Sequence, residues 1–108
     1  MSKYLLIESR DPFESQDSGA FYDLAASLAR DANQVTLLLV QNGVLGARAG
    51  EHARWCAELG QAGVEILADD FSLRERGIQA SRLAHDVRAS SLDIVIDYLG
   101  EGRKTLWH

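Results

Sequence analysis

The chain has 108 residues, 46% of them hydrophobic and 25% charged, with a net charge of −5 and one cysteine. These figures allow one compact domain of globular composition and argue against a nucleic-acid binder, which presents a basic face to phosphates. One thiol makes no internal disulfide, the longest apolar run (Val35 to Val40) is far too short to span a bilayer, and MSKYLLIESR has no long apolar signal region. The expectation is a cytoplasmic protein that engages neither membrane nor nucleic acid.

Lys3 to Glu8 (KYLLIE) is a short apolar run and predicts a buried first strand. Ser9 to Ser18 has loop composition, with Asp17 or Ser18 placed to cap a helix whose stripe is Phe21, Leu24, Ala25, Leu28 and Ala32. Val35 to Val40 (VTLLLV) is apolar on both faces, as in a central strand covered on both sides, and Gln41-Asn42-Gly43 punctuates its end. A second helix is predicted from about Gly50 to Gln61, with the stripe His52, Trp55, Cys56 and Leu59 and with Gly63 as its stop. Val64 to Ala68 predicts a third strand closed by Asp69-Asp70. A third helix follows from about Ala80 to Val87, with Leu83 and Val87 on one face. Asp93 to Tyr98 has strand propensity, but Leu92, Val95, Ile96 and Leu99 form a helical stripe that Gly100 and Gly102 would end, so the segment is read as helix. Arg103 to Trp107 supplies the last strand. This alternation predicts an α/β fold: a three-layer α/β/α sandwich on a mostly parallel sheet of four to five strands. Ligands of such sheets gather at the carboxyl ends of the strands, which singles out the loops Ser9 to Gln16, Gln41 to Gly50 and Asp69 to Gly77.

The glycines of QNGVLGARAG could let backbone amides approach an anion, but their spacing fits neither common phosphate-binding pattern, and turn geometry explains them as well. Asp69-Asp70 together with Lys104 would interest a reader looking for a phospho-acceptor domain. The first strand, however, ends Glu8-Ser9-Arg10-Asp11 and lacks the carboxylate pair such a site needs, so the two aspartates read as a strand end and a cap. His52, His85 and His108 are dispersed, with His108 read as a free C-terminus, so neither a metal nor another cofactor is expected. No serine sits in a nucleophile elbow. Arg74 and Arg76 could grip an anionic group bidentately, or could simply lie in a solvated charged turn. Cys56 falls on a helical stripe beside Trp55 and Leu59, where a thiol is usually an inert small hydrophobe.

Taken together, VTLLLVQNGVLGAR, DDFSLRERGI and the closing YLGEGRKTLWH resemble the DsrE/DsrF-like family (the DsrEFH and TusBCD proteins) of cytoplasmic sulfur trafficking. The likeness covers nearly the whole chain and rests on the order and spacing of these segments. Against the family's C-x-x-S-L-x-x-R-G pattern, Ser72, Leu73, Arg76 and Gly77 match, and the cysteine position falls on Asp69. In sulfur-carrying members that cysteine accepts a persulfide and hands it on, which a carboxylate cannot do. The resemblance therefore implies a non-catalytic subunit or binding protein of sulfur metabolism, with Gln41, Asn42, Gly43, Asp69, Ser72, Arg76 and Gly77 at its site. It also implies assembly as a homotrimer or homohexamer, or with related subunits and sulfur-relay proteins. Ile94, Val95, Tyr98, Leu106 and Trp107 would suit either an oligomer contact or an ordinary core. Two alternatives stay open: a sulfur carrier using Cys56, and a small-molecule or anion-binding module using the Gln41 to Gly50 loop with Arg74 and Arg76.

Overall fold

In a computed structural model, which describes residues 1–50 and 53–108, the apolar runs form five parallel strands. In chain order the elements are β1 (Lys3–Glu8), α1 (Ser18–Arg30), β2 (Gln34–Leu39), a 3-10 segment (Gln41–Ala47), α2 (Arg54–Ala62) and β3 (Glu65–Asp69). There follow α3 (Asp70–Glu75), a 3-10 turn (Ala80–Arg82), β4 (Val87–Ser90), α4 (Asp93–Gly100) and β5 (Lys104–Trp107). The strand order β4-β3-β2-β1-β5 explains where the helices lie. From β1 to β4 each step moves one strand in the same direction, and right-handed crossovers put α1 and α2 on one face. The return from β4 to β5 runs the other way across the sheet, which carries α4 onto the opposite face.

Alternation along the strands fills the two faces unequally. On the first, Leu6, Leu37, Leu39 and Ile66 pack with Ala25, Cys56 and Leu59 of α1 and α2. Tyr22 lies flat on Trp55, with ring centroids 4.2 Å apart, and ties those two helices together. On the second face, Leu5, Ile7, Leu38, Val40 and Leu67 pack against Ile94, Val95 and Tyr98 of α4. Polar contacts hold the C-terminal half of α4 in place. Tyr98 donates to Glu65 (2.6 Å), and Thr36 donates to the same carboxylate (2.7 Å), which also pairs with Arg88 (2.7 Å). Buried Arg103 lies against the Tyr98 ring and donates to the Thr36 hydroxyl at 2.9 Å. Among the described residues no helix is long and apolar enough to cross a membrane.

The structure corrects several expectations. Ala80 to Val87 is not a helix. Leu83 and Val87 share a helical spacing, but past the 3-10 turn Ala80–Arg82 the chain leaves the helical path: Ala84 donates to the Ala47 carbonyl (2.8 Å) and an extended Leu83 bridges Arg48 before β4 begins. Val87 reaches the first-face core as the buried residue of an edge strand whose Arg88 and Ala89 are exposed. The segment Asp69 to Gly77, expected as a loop, contains α3. On α1 the buried stripe is Ser18, Tyr22, Ala25 and Ala26, while Leu24 is exposed, because the Tyr22 stack sets the helix rotation. Helix α2 starts at Arg54, later than expected, and ends at Gly63 in the left-handed conformation (φ 97°), as anticipated. His52 lies outside the described residues.

Candidate functional site

Strand β3 ends at Asp69, whose side chain turns back to cap α3. Its Oδ2 accepts hydrogen bonds from the Ser72 backbone N–H (3.0 Å) and hydroxyl (2.6 Å). The Ser72 Oγ in turn accepts from the Gln41 backbone N–H at 2.8 Å, which joins the end of β2 to α3. Gln41 adopts φ 52°, a left-handed conformation that non-glycine residues seldom adopt, and this hydrogen bond helps hold it there. One turn along α3, the Arg76 guanidinium donates from Nε and Nη2 to the Asn42 side-chain carbonyl (3.1 and 3.0 Å) and from Nη1 to the Ser72 carbonyl (3.2 Å). Gly77 closes the turn at φ 68°. Gly43 is fixed by contact: a Cβ there would collide with the Glu8 carbonyl oxygen of β1. Gln41, Asn42, Asp69, Ser72 and Arg76 thus form one connected group at the carboxyl ends of β2 and β3, with Gly43 and Gly77 shaping its backbone.

Below this group, on the α4 face, lies a cleft of about 500 Å³. Its floor is Ile7, Leu38 and Val40, its sides include Phe71, Val95 and Trp107, and Asp69 and Ser72 stand at its polar end. It sits beside the β1–β5 boundary, where the strand order reverses, the place at which open parallel sheets collect ligands. Asp69 is almost fully buried (3% exposed), and its Oδ1 has no hydrogen-bond partner among the described residues.

Other sequence candidates lie elsewhere. Cys56 is fully buried on the first face, and burial, with the Asp86 charge added, pushes its thiol up to about 12. Lys104 begins β5 opposite Tyr4, at the far end of the sheet from Asp69, so no phospho-acceptor constellation forms. The 3-10 segment Gln41–Ala47 packs its glycines closely against neighbours, with Gly46 against Pro12 and Trp55. Arg74 is exposed and pairs at 3.9 Å with Asp70, whereas Arg76 is engaged with Asn42. His85 is exposed, and among the described residues no group of three His, Cys, Asp or Glu is placed to hold a metal. His108 is not a free end. Its ring bonds the fully buried Glu8 carboxylate (2.8 Å) and stacks on Phe21, while its backbone N–H donates to the Ile7 carbonyl at 2.9 Å.

The tail residues divide. Ile94, Val95 and Tyr98 pack on the second-face core, while Leu106 and Trp107 are exposed, together with Leu92, Ile96 and Leu99. Sequence reasoning missed the cleft. Its floor reads as plain core, and its walls come from segments far apart in the chain. The available signal was Phe71, a large apolar residue directly after Asp69-Asp70, and an α4 stripe too wide for one covered face.

A model of the DsrE/DsrF-like family matches residues 2–107 of the chain. No curated protein matches it. Among solved structures, the YchN protein from E. coli superposes with a TM-score of 0.91 at 18% identity, covering 100% of both chains. MTH1491 from Methanobacterium thermoautotrophicum, described as of unknown function, gives 0.84 at 18% identity, again over 100% of both chains. BT1422 from Bacteroides thetaiotaomicron, likewise of unknown function, gives 0.81 at 20% identity, covering 99% of this chain and 95% of its own. At these identities the likeness concerns the fold.

Proposed function

Because the chain belongs to the DsrE/DsrF-like family, which is associated with sulfur metabolism, we propose that it serves there as a non-catalytic binding subunit in the cytoplasm. In this reading it works within an oligomer of itself or of related subunits. The observation that carries the reading is Asp69, a capping carboxylate at the strand end where the family pattern has its cysteine. A carboxylate offers no thiolate to take up sulfane sulfur. Cys56 is a poor substitute, since a buried thiol that ionises near pH 12 presents almost no nucleophile at neutral pH. The oligomer is supported by the exposed apolar residues Leu99 and Leu106, on the parts of α4 and β5 that do not line the cleft. These two side chains would bury against neighbouring subunits, leaving the cleft at the Asp69 end of the sheet for a ligand.

The test is to incubate the folded protein with a sulfane-sulfur donor and measure its intact mass, with native mass spectrometry on the same sample. The expected result is an unmodified subunit mass within a trimer, hexamer or mixed complex. Iodoacetamide should label Cys56 only after denaturant is added. A persulfide on Cys56 in the folded protein would sink the non-catalytic reading, and a monomer that persists at micromolar concentration without partners would sink the oligomer.

A further inference from the structure

The proposed binding role leaves open what the cleft takes, and its lining narrows the choice. Two carboxylates, Asp69 and Glu75, stand among its described lining residues, with no lysine, arginine or histidine. Glu75 is exposed and has Arg76 at 3.8 Å, an ion pair of little strength in water. Asp69 is different. It is buried, it makes no ion pair among the described residues, and both hydrogen bonds to it fall on Oδ2. A buried carboxylate oxygen without a donor is costly, and native structures usually supply one. Phe71 and Trp107 add aromatic surface at the walls, whose faces attract cations, and Ile7, Leu38 and Val40 give an apolar floor. The chain's net charge of −5 favours a positive ligand over an anion.

We propose that this cleft binds a small organic cation, with its apolar body on the Leu38–Val40 floor and its ammonium or amidinium group directed to Asp69. The assignment rests on the binding-subunit reading above and specifies its ligand class. It also excludes the anionic ligand that two neighbouring arginines suggest in the sequence, because Arg76 is held by Asn42 and Arg74 does not line the cleft.

Three probes of nearly equal size separate the possibilities: phenethylammonium, phenethyl alcohol and hydrocinnamate. They are titrated at neutral pH by calorimetry, with methyl NMR shifts of Leu38 and Val95 locating the bound probe. The cation should bind about tenfold tighter than the alcohol, as expected for one charge-assisted hydrogen bond, and the carboxylate most weakly. Asp69→Asn should erase the preference, and Glu75→Gln should reduce it about twofold. Equal affinities, a preference for hydrocinnamate, no binding of any probe, or an unchanged preference in folded Asp69→Asn would each overturn the proposal. Should Asp69→Asn not fold, the wild-type ranking and the exposed Glu75→Gln variant decide. The two readings fail separately: a persulfide on Cys56 leaves a cation-selective cleft standing, and a cleft indifferent to charge leaves the absence of sulfur transfer standing.

Discussion

The two faces of one sheet carry the same aliphatic residues to opposite ends. Under α1 and α2 the side chains meet a continuous lid of helix, and Cys56, Tyr22 and Leu59 are sealed in with them. Under α4 the cover is a single eight-residue helix, bonded to the sheet at Tyr98 and leaving the carboxyl end open as a cleft. Burial makes a reactive group inert on the first face. On the second face, partial cover leaves an open cleft with the buried Asp69 at one end. The side of the pleat a residue occupies therefore decides its surroundings more than its type does: the cysteine lies on the closed side, and Asp69 lines the open cleft.

Adjacent residues on β2 test this contrast most directly. Leu37 and Leu38 are both fully buried but point to opposite faces. Leu37→Ala leaves a hole in a closed core and should cost about 3–4 kcal/mol in denaturant unfolding. Leu38→Ala merges its hole with the cleft, where neighbours can relax, and should cost about 2 kcal/mol. Equal losses would mean that the second face is as tightly packed as the first.

A smaller effect concerns what holds α4 down. Burial alone would push the Glu65 carboxyl up, but hydrogen bonds from Tyr98 and Thr36 and the charges of Arg88 and Arg103 outweigh it, leaving the carboxyl below its usual range. A depressed carboxylate stabilises the fold above its unfolded value, here 4.5, and that contribution is lost as pH falls through the lower folded value. Burial and the same hydrogen bond raise the Tyr98 phenol above 10.0, so its share is present below the unfolded value and lost as pH rises through the folded one. Glu65→Gln should therefore flatten the loss of thermal stability below about pH 4.5, with little change in how the Cys56 side responds. An acid limb of unchanged steepness in the variant would remove Glu65 from the account.

The smallest effect has the opposite sign. The buried Tyr22 hydroxyl has no partner among the described residues, and burial, followed by the charges of Glu8, Cys56 and Asp11, pushes the phenol well above its ordinary range. Tyr22→Phe keeps the stack on Trp55 and removes an unsatisfied group, so stability should hold or rise by up to about 1 kcal/mol. A clear loss by thermal denaturation would reveal a hydrogen bond that the hydroxyl makes after all.

Much of this was legible from sequence. The strands β1, β2, β3 and β5 and the helices α1 and α4 are written in apolar runs and periodic stripes, which local physics enforces. Strand β4 was not. Its four residues include only one that is buried, and Leu83 with Val87 copies a helical repeat. Helix α3 was hidden by its shortness, six residues whose first turn depends on the Asp69 cap. At the site, Asp69, Ser72 and Arg76 could be found because they share one segment. The Asn42–Arg76 contact spans 34 residues and the Glu8–His108 pair spans 100, and no local pattern announces either.

The pairing of β1 with β5 also bears on how the molecule is made. Until β5 joins it, β1 is an edge strand, apolar from Leu5 to Ile7 on both faces and open to a neighbouring chain. Closing that edge requires contacts about a hundred positions apart, the slowest kind to form. During synthesis, and in refolding, the Trp55 environment should therefore mature before that of Trp107, with an interval in which dilution or a holdase decides between the monomer fold and aggregation. Refolding followed by the fluorescence of single-tryptophan variants, with Trp107 settling first, would reverse this order.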